Sequence, residues 1–180
     1  MKNIFPIVLL LLLPISVYPQ NEDAKIKAIR DQYTKVKAEI KKIETNEEAA
    51  FQSELAVNEL VVNKLNKSWP AVGNYSVVYR FYYKQAGEEP YPDHLVFVTI
   101  RTTSAAREEY VEILYSDSDD PLFAFRRLET HEEIRMYFKN GKIVEYQGLG
   151  KGNKGEEVLY TAATIMKAGD YKKLFQLSIQ

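Results

Sequence analysis

Asn140-Gly141 lies between two alternating apolar runs, EEIRMYFK (132–139) and KIVEY (142–146). That pair suits a two-residue type I′ turn, because both central residues must take positive φ. A hairpin follows, and with it a sheet whose neighbours run antiparallel. An unbroken register sets Phe138 opposite Ile143, Tyr137 opposite Val144, Met136 opposite Glu145 and Arg135 opposite Tyr146.

Period-two segments extend upstream. LAVNELVVNKLN (55–66), NYSVVYRFYYK (74–84), HLVFVTIRTT (94–103), EEYVEILYS (108–116) and PLFAFRRLE (121–129) are separated by segments rich in Pro, Gly, Asp and Ser. HLVFVTIRTT is apolar nearly throughout, as a central strand should be. Residues 22–48 have a different period. Ile26, Ile29, Tyr33, Val36, Ile40 and Ile43 recur at steps of three and four, drawing one apolar stripe on a helix. Asp23 suits its first turn. Residues 156–177 return to helical spacing, with Gly169 a candidate break before Tyr171, Leu174 and Phe175.

The expected fold is therefore α+β, with a long N-terminal helix and a C-terminal helix packed on one antiparallel meander of about six strands. The domain would span residues 21–180, with the helix at 22–48, the sheet at about 56–147, a glycine-rich tether at 148–155 and the last helix at 156–177. Both helices are expected on one side of the sheet, leaving the reverse side wet. The helix stripe could alternatively drive oligomerisation, but the apolar strands that follow are a nearer partner, so a monomer is expected.

Lys2, an apolar run IFPIVLLLLLPISV (4–17) and the polar NEDAKIK have the layout of a secretory signal peptide over residues 1–20. Spanning a bilayer takes about 20 apolar residues, which makes an uncleaved anchor the poorer reading. The expected destination is the periplasm or the exterior. The chain has no cysteine, so neither a lipoprotein nor a disulfide framework is expected. A formal net charge of −1 argues against general nucleic-acid binding.

Several motifs invite chemistry. Gly150, Gly152 and Gly155 match G-x-G-x-x-G, but the preceding strand belongs to an antiparallel hairpin and no closing parallel strand follows. Glu156 and Glu157 would repel a phosphate there. No cofactor is expected. Asp117 and Asp119 have the spacing of two calcium ligands, yet Pro121 and Leu128 occupy later ligand positions, and a plain turn accounts for them. His94 and His131 lie near carboxylates but lack a second histidine at ligand spacing, and no serine sits in a nucleophile elbow. A candidate binding face remains. Arg80 and Tyr82 on one strand, with Arg135, Tyr137 and Tyr146 on the hairpin, would form an aromatic and basic platform suited to an acidic or glycan ligand.

SWPAVG, AAREEYVEILYSD with PLFAF, and EIRMYFKNGKIVEY together resemble a group of small exported bacterial α+β proteins of unassigned function; the likeness covers about residues 55–147. It implies a compact exported domain and supplies no activity. The expected function is an exported, non-catalytic interaction or ligand-binding module, with an unknown protein or an acidic or glycan partner in the cell envelope. The alternative is a hydrolase-type enzyme using His94 or His131 with neighbouring carboxylates.

Overall fold

The computed structural model describes residues 20–71, 73–84, 94–105, 107–129, 132–148 and 168–179. Residues 1–19 of the expected leader, His131, most of the glycine segment and the first half of the last expected helix lie outside them. The protein is α+β and its sheet is antiparallel throughout. Helix α1 (Gln20–Thr45) and the short α2 (Glu47–Phe51) precede β1 (Ala56–Val62), β2 (Ser68–Trp69), β3 (Gly73–Lys84), β4 (His94–Ser104), β5 (Glu108–Tyr115), β6 (Pro121–Leu128), β7 (Glu133–Lys139) and β8 (Lys142–Gln147); α3 (Ala168–Ser178) closes the described chain. The sheet order is β1-β3-β4-β5-β6-β7-β8, with β2 on β3. The main sheet path thus exceeds the six strands expected. The helix expected to reach residue 48 stops at Thr45. Asn46, extended at φ −167°, caps α2 by accepting the Ala49 N–H at 2.8 Å. Gly169 is the second residue of α3, and the segment before it, in which the break was expected, lies outside the described residues.

The Asn-Gly turn forms as its chemistry requires, with Asn140 at φ +50° and Gly141 at φ +71°. Phe138 faces Ile143, but the register then slips by one residue: Tyr137 faces Glu145, Met136 faces Tyr146 and Arg135 faces Gln147. Val144 is the extra residue of a β-bulge. Because strand side chains alternate faces, the slip carries Glu145 to the side of Tyr137 and turns Tyr146 to the other side. Gly148, which ends the hairpin, has φ +100°, and a Cβ there would sit 1.8 Å from the Glu133 carbonyl oxygen. At least this end of the glycine segment is therefore a tight approach of two backbones, not a slack connection.

Both faces of the sheet are buried. On one, Val77, Phe81, Val98, Ile100, Val111, Ile113, Ala124, Ile134 and Met136 meet Phe175 of α3, with Tyr171 and Leu174 packed at the margin. On the other, Tyr82, Phe97, Leu114, Phe123, Phe125 and Tyr137 meet Ile26, Val36 and Ile40 of α1, with Ile29, Tyr33 and Ile43 half-buried beside them. The apolar stripe of α1 is thus used within the chain. The expectation that both helices share one face is incorrect: α1 covers one face and α3 the other. The physical reason lies in β4 to β6, where Phe97 and Val98, Ile113 and Leu114, and Phe123 and Ala124 are all buried although successive residues point to opposite sides. A strand apolar on both faces needs cover on both.

Candidate functional site

The platform expected to be wet is therefore partly roofed. Tyr82 and Tyr137 are 1% and 3% exposed, beneath α1. Arg30 of α1 donates to the Tyr137 hydroxyl at 2.9 Å and pairs with Glu145 at 3.3 Å, a contact the bulge makes possible. Arg80 stays at the surface but is engaged by Glu59 at 2.8 Å and Glu44 at 3.3 Å. Arg135 pairs with Glu133 at 2.7 Å, and its guanidinium carbon stands 5.2 Å from the Phe125 ring centre. Arg80, Tyr82, Arg135 and Tyr137 do share a face, but Tyr146 lies on the opposite one. For Tyr82 and Tyr137 the partner is the helix, which takes them out of reach of an external ligand.

A buried polar knot fastens α1. Glu112 is 3% exposed; its carboxylate accepts the Tyr33 hydroxyl at 2.5 Å, Lys37 Nζ at 2.6 Å and the Tyr110 hydroxyl at 2.8 Å. Burial, with the Glu112 carboxylate second, pushes the Tyr33 and Tyr110 hydroxyls up from their ordinary values. A buried carboxylate is tolerable only when its lone pairs are satisfied in this way. Replacing Glu112 by Gln keeps the shape and an acceptor but leaves Lys37 without its counter-charge. We expect Glu112→Gln to lower stability by about 1–2 kcal/mol, read from the denaturant midpoint at an unchanged slope. An unchanged midpoint would mean that the knot does not hold the helix.

Beyond the helix the same face stays open. Arg101 of β4, Tyr110 of β5 and Arg127 of β6 are direct cross-strand partners, forming one rung. The two guanidinium carbons stand 5.9 and 5.4 Å from the Tyr110 ring centre, and both side chains are exposed. Among the described residues, neither arginine has a carboxylate within ion-pair reach. The rung lines a cleft of about 700 Å³ together with Thr103, Arg107, Glu108, Glu109 and Glu129, and no α1 residue enters it. Two unpaired guanidiniums held on one aromatic ring can offer bidentate donors to a carboxylate, sulfate or phosphate. None of these three residues was singled out from sequence. Their pairing depends on the β4–β5 and β5–β6 registers, which no Asn-Gly turn signals.

His94 lines a separate cleft of about 420 Å³ at the other end of the sheet, with Glu39, Glu54 and Asp117. It has acids nearby, but among the described residues none is hydrogen-bonded to it as a dyad partner. Glu54 pairs with Lys84 at 3.6 Å, and Glu39 pairs with Lys42 at 2.7 Å. Lys42 and the Glu54 backbone N–H hold the Glu39 carboxyl below its usual value. His131 lies outside the described residues. Asp117 and Asp119 occupy a turn in which Asp119 takes φ +62° and the Ser116 hydroxyl oxygen accepts the N–H of Ser118 and of Asp120. Asp119 also pairs with Lys172, tying the turn to α3. Among the described residues no three metal-ligating groups converge.

No described helix is long and apolar enough to cross a membrane. Comparison of the chain with protein-family models, with curated proteins and with solved structures finds no match.

Proposed function

We propose that this chain is an exported, non-catalytic module that binds an anionic ligand, with an acidic saccharide the best fit. The observation that carries the reading is the Arg101–Tyr110–Arg127 rung beside its cleft. An aromatic ring with flanking guanidiniums suits a sugar bearing carboxylates, since the guanidiniums supply paired hydrogen bonds and the Tyr110 ring a stacking face, while Glu108, Glu109 and Glu129 in the same lining can accept from sugar hydroxyls. Arg107 extends the cationic side, and Arg80 and Arg135 flank the rung from the next one over. Export rests on residues 2–17, whose short cationic start and apolar run have the layout of a secretory leader.

The test uses oligogalacturonate and its neutral methyl ester as probes, followed by calorimetry. The acid should bind and the ester should not. Arg101→Ala with Arg127→Ala should weaken binding by at least tenfold, since each lost charge-assisted contact is worth about 1.5–3 kcal/mol. Equal binding of acid and ester, or an unchanged affinity in the double variant, would remove the rung as the site.

One observation favours a second reading. His94 lies in a concave cleft beside carboxylates, the setting a hydrolase would need. That reading predicts a hydrolytic activity abolished by His94→Asn, and it falls if the variant keeps that activity in full.

A further inference from the structure

The loop between β1 and β3 spends backbone energy to hold apolar side chains in water. Leu65 is 76% and Trp69 53% exposed, two of the large apolar side chains that stand in water among the described residues. Slack chain does not explain this. The Asn63 side-chain amide donates to the carbonyls of Lys67 at 2.8 Å and Tyr75 at 2.6 Å, while its oxygen accepts the Lys67 N–H at 3.1 Å. The Asn66 N–H meets the Asn63 carbonyl at 2.8 Å. Ser68 and Trp69 are paired to Asn74 and Gly73. Asn63, Asn66 and Ala71 all take positive φ, between +50° and +63°, which is costly for a residue such as alanine. The loop is thus a stiff support that presents Leu65 and Trp69 in a fixed pose, so little ordering entropy remains to be lost on contact.

Its charge indicates what it meets. Lys64 precedes Leu65 and Lys67 lies between Leu65 and Trp69; both are exposed, and the sequence contains no Asp or Glu between Glu59 and Glu88. We propose that loop 63–71 docks the protein onto an anionic lipid surface, seating Leu65 and Trp69 among the headgroups. The amphipathic indole favours that layer, and lysines beside it are attracted to acidic lipids. A second copy of the chain is a poorer occupant. Two side chains offer at most a few hundred Å², well below the roughly 800 Å² per partner of a stable interface. This inference is independent of the saccharide reading, because the loop shares no residue with the Arg101–Tyr110–Arg127 rung.

Trp69 is the only tryptophan in the chain, so tryptophan emission, excited to the red of tyrosine absorption, reports on this loop alone. The exported chain, residues 21–180 without the apolar leader, is titrated with vesicles of phosphatidylcholine, with or without phosphatidylglycerol, some carrying brominated acyl chains. With phosphatidylglycerol, Trp69 emission should shift to the blue and be quenched by bromine. Lys64→Gln with Lys67→Gln should weaken the response roughly 25-fold, about fivefold per lysine, and Leu65→Ser should weaken it about tenfold. All three positions are exposed, so the fold should survive. Absence of quenching would overturn the proposal, and so would quenching that ignores both lipid charge and the lysines. A blue shift that depends on protein concentration without vesicles would overturn it in favour of a second copy.

Discussion

Raising the pH above about 10 should unfold this protein cooperatively, and before its buried tyrosines ionise in the folded state. Burial pushes the hydroxyls of Tyr82 and Tyr171 up to about 12, with Glu44 adding to the first and Tyr79 to the second. Tyr33, Tyr79, Tyr110 and Tyr115 are shifted the same way, burial again being the largest cause. In the unfolded chain all of them ionise near pH 10. A group whose folded pKa is raised stabilises the fold in full below its unfolded pKa. That contribution falls away as pH climbs from about 10 through the folded value. For Tyr82 alone the loss by pH 12 is about 2 kcal/mol; Tyr171, partly open to water, contributes less. Together with the other four, this is a large share of the 5–15 kcal/mol that holds a typical domain together. Tyrosinate absorbance and circular dichroism should therefore change together, and Tyr82→Phe should move the alkaline midpoint upward. Tyrosines that all titrate near pH 10 in a chain that stays folded would show that neither helix buries them.

Truncating either of two phenylalanines should be as damaging, with different local consequences. Phe97 and Phe81 are both 0% exposed and belong to opposite faces. Phe97 touches the rings of Tyr33 and Tyr82 at 6.0 and 6.2 Å and has Lys37 at 5.7 Å. Phe81 meets Phe175 at 5.9 Å and Tyr79 at 6.2 Å. Each change to alanine removes burial and leaves a cavity, at a cost of about 3–5 kcal/mol. Hydrogen exchange separates them. Phe97→Ala should lower protection in α1 first, and Phe81→Ala should lower it in α3 first. Loosening of the same helix by both variants would contradict the assignment of one helix to each face.

Much of this architecture is legible in the residues, because side-chain periodicity and turn chemistry are local. Ile26 to Ile43 announce a helix with one buried stripe, the alternation of Tyr75 to Tyr83 announces a strand, and Asn140-Gly141 announces the last hairpin. What stayed hidden is non-local. The bulge at Val144 has no sequence mark, yet it decides that Glu145 meets Arg30 and that Tyr146 leaves the platform. The side on which each helix lies was encoded in β4 to β6: Phe97 beside Val98 and Phe123 beside Ala124 already require two covers. The pairing of Arg101 and Arg127 across Tyr110 depends on registers set by the turns at 104–107 and 116–120. Neither turn has a composition that fixes its length.

Helices α1 and α3 sandwich the sheet, so that on the α1 face only the strip beyond the helix stays open. Aromatic proton contacts measured by NMR on the labelled chain test this arrangement most directly. Tyr33 should show contacts to Phe123, whose ring centre is 4.9 Å away, and Phe175 should show them to Tyr83, at 5.3 Å. Contacts from Phe175 to Phe97 or Phe123, or none from Tyr33 to the sheet, would contradict the account.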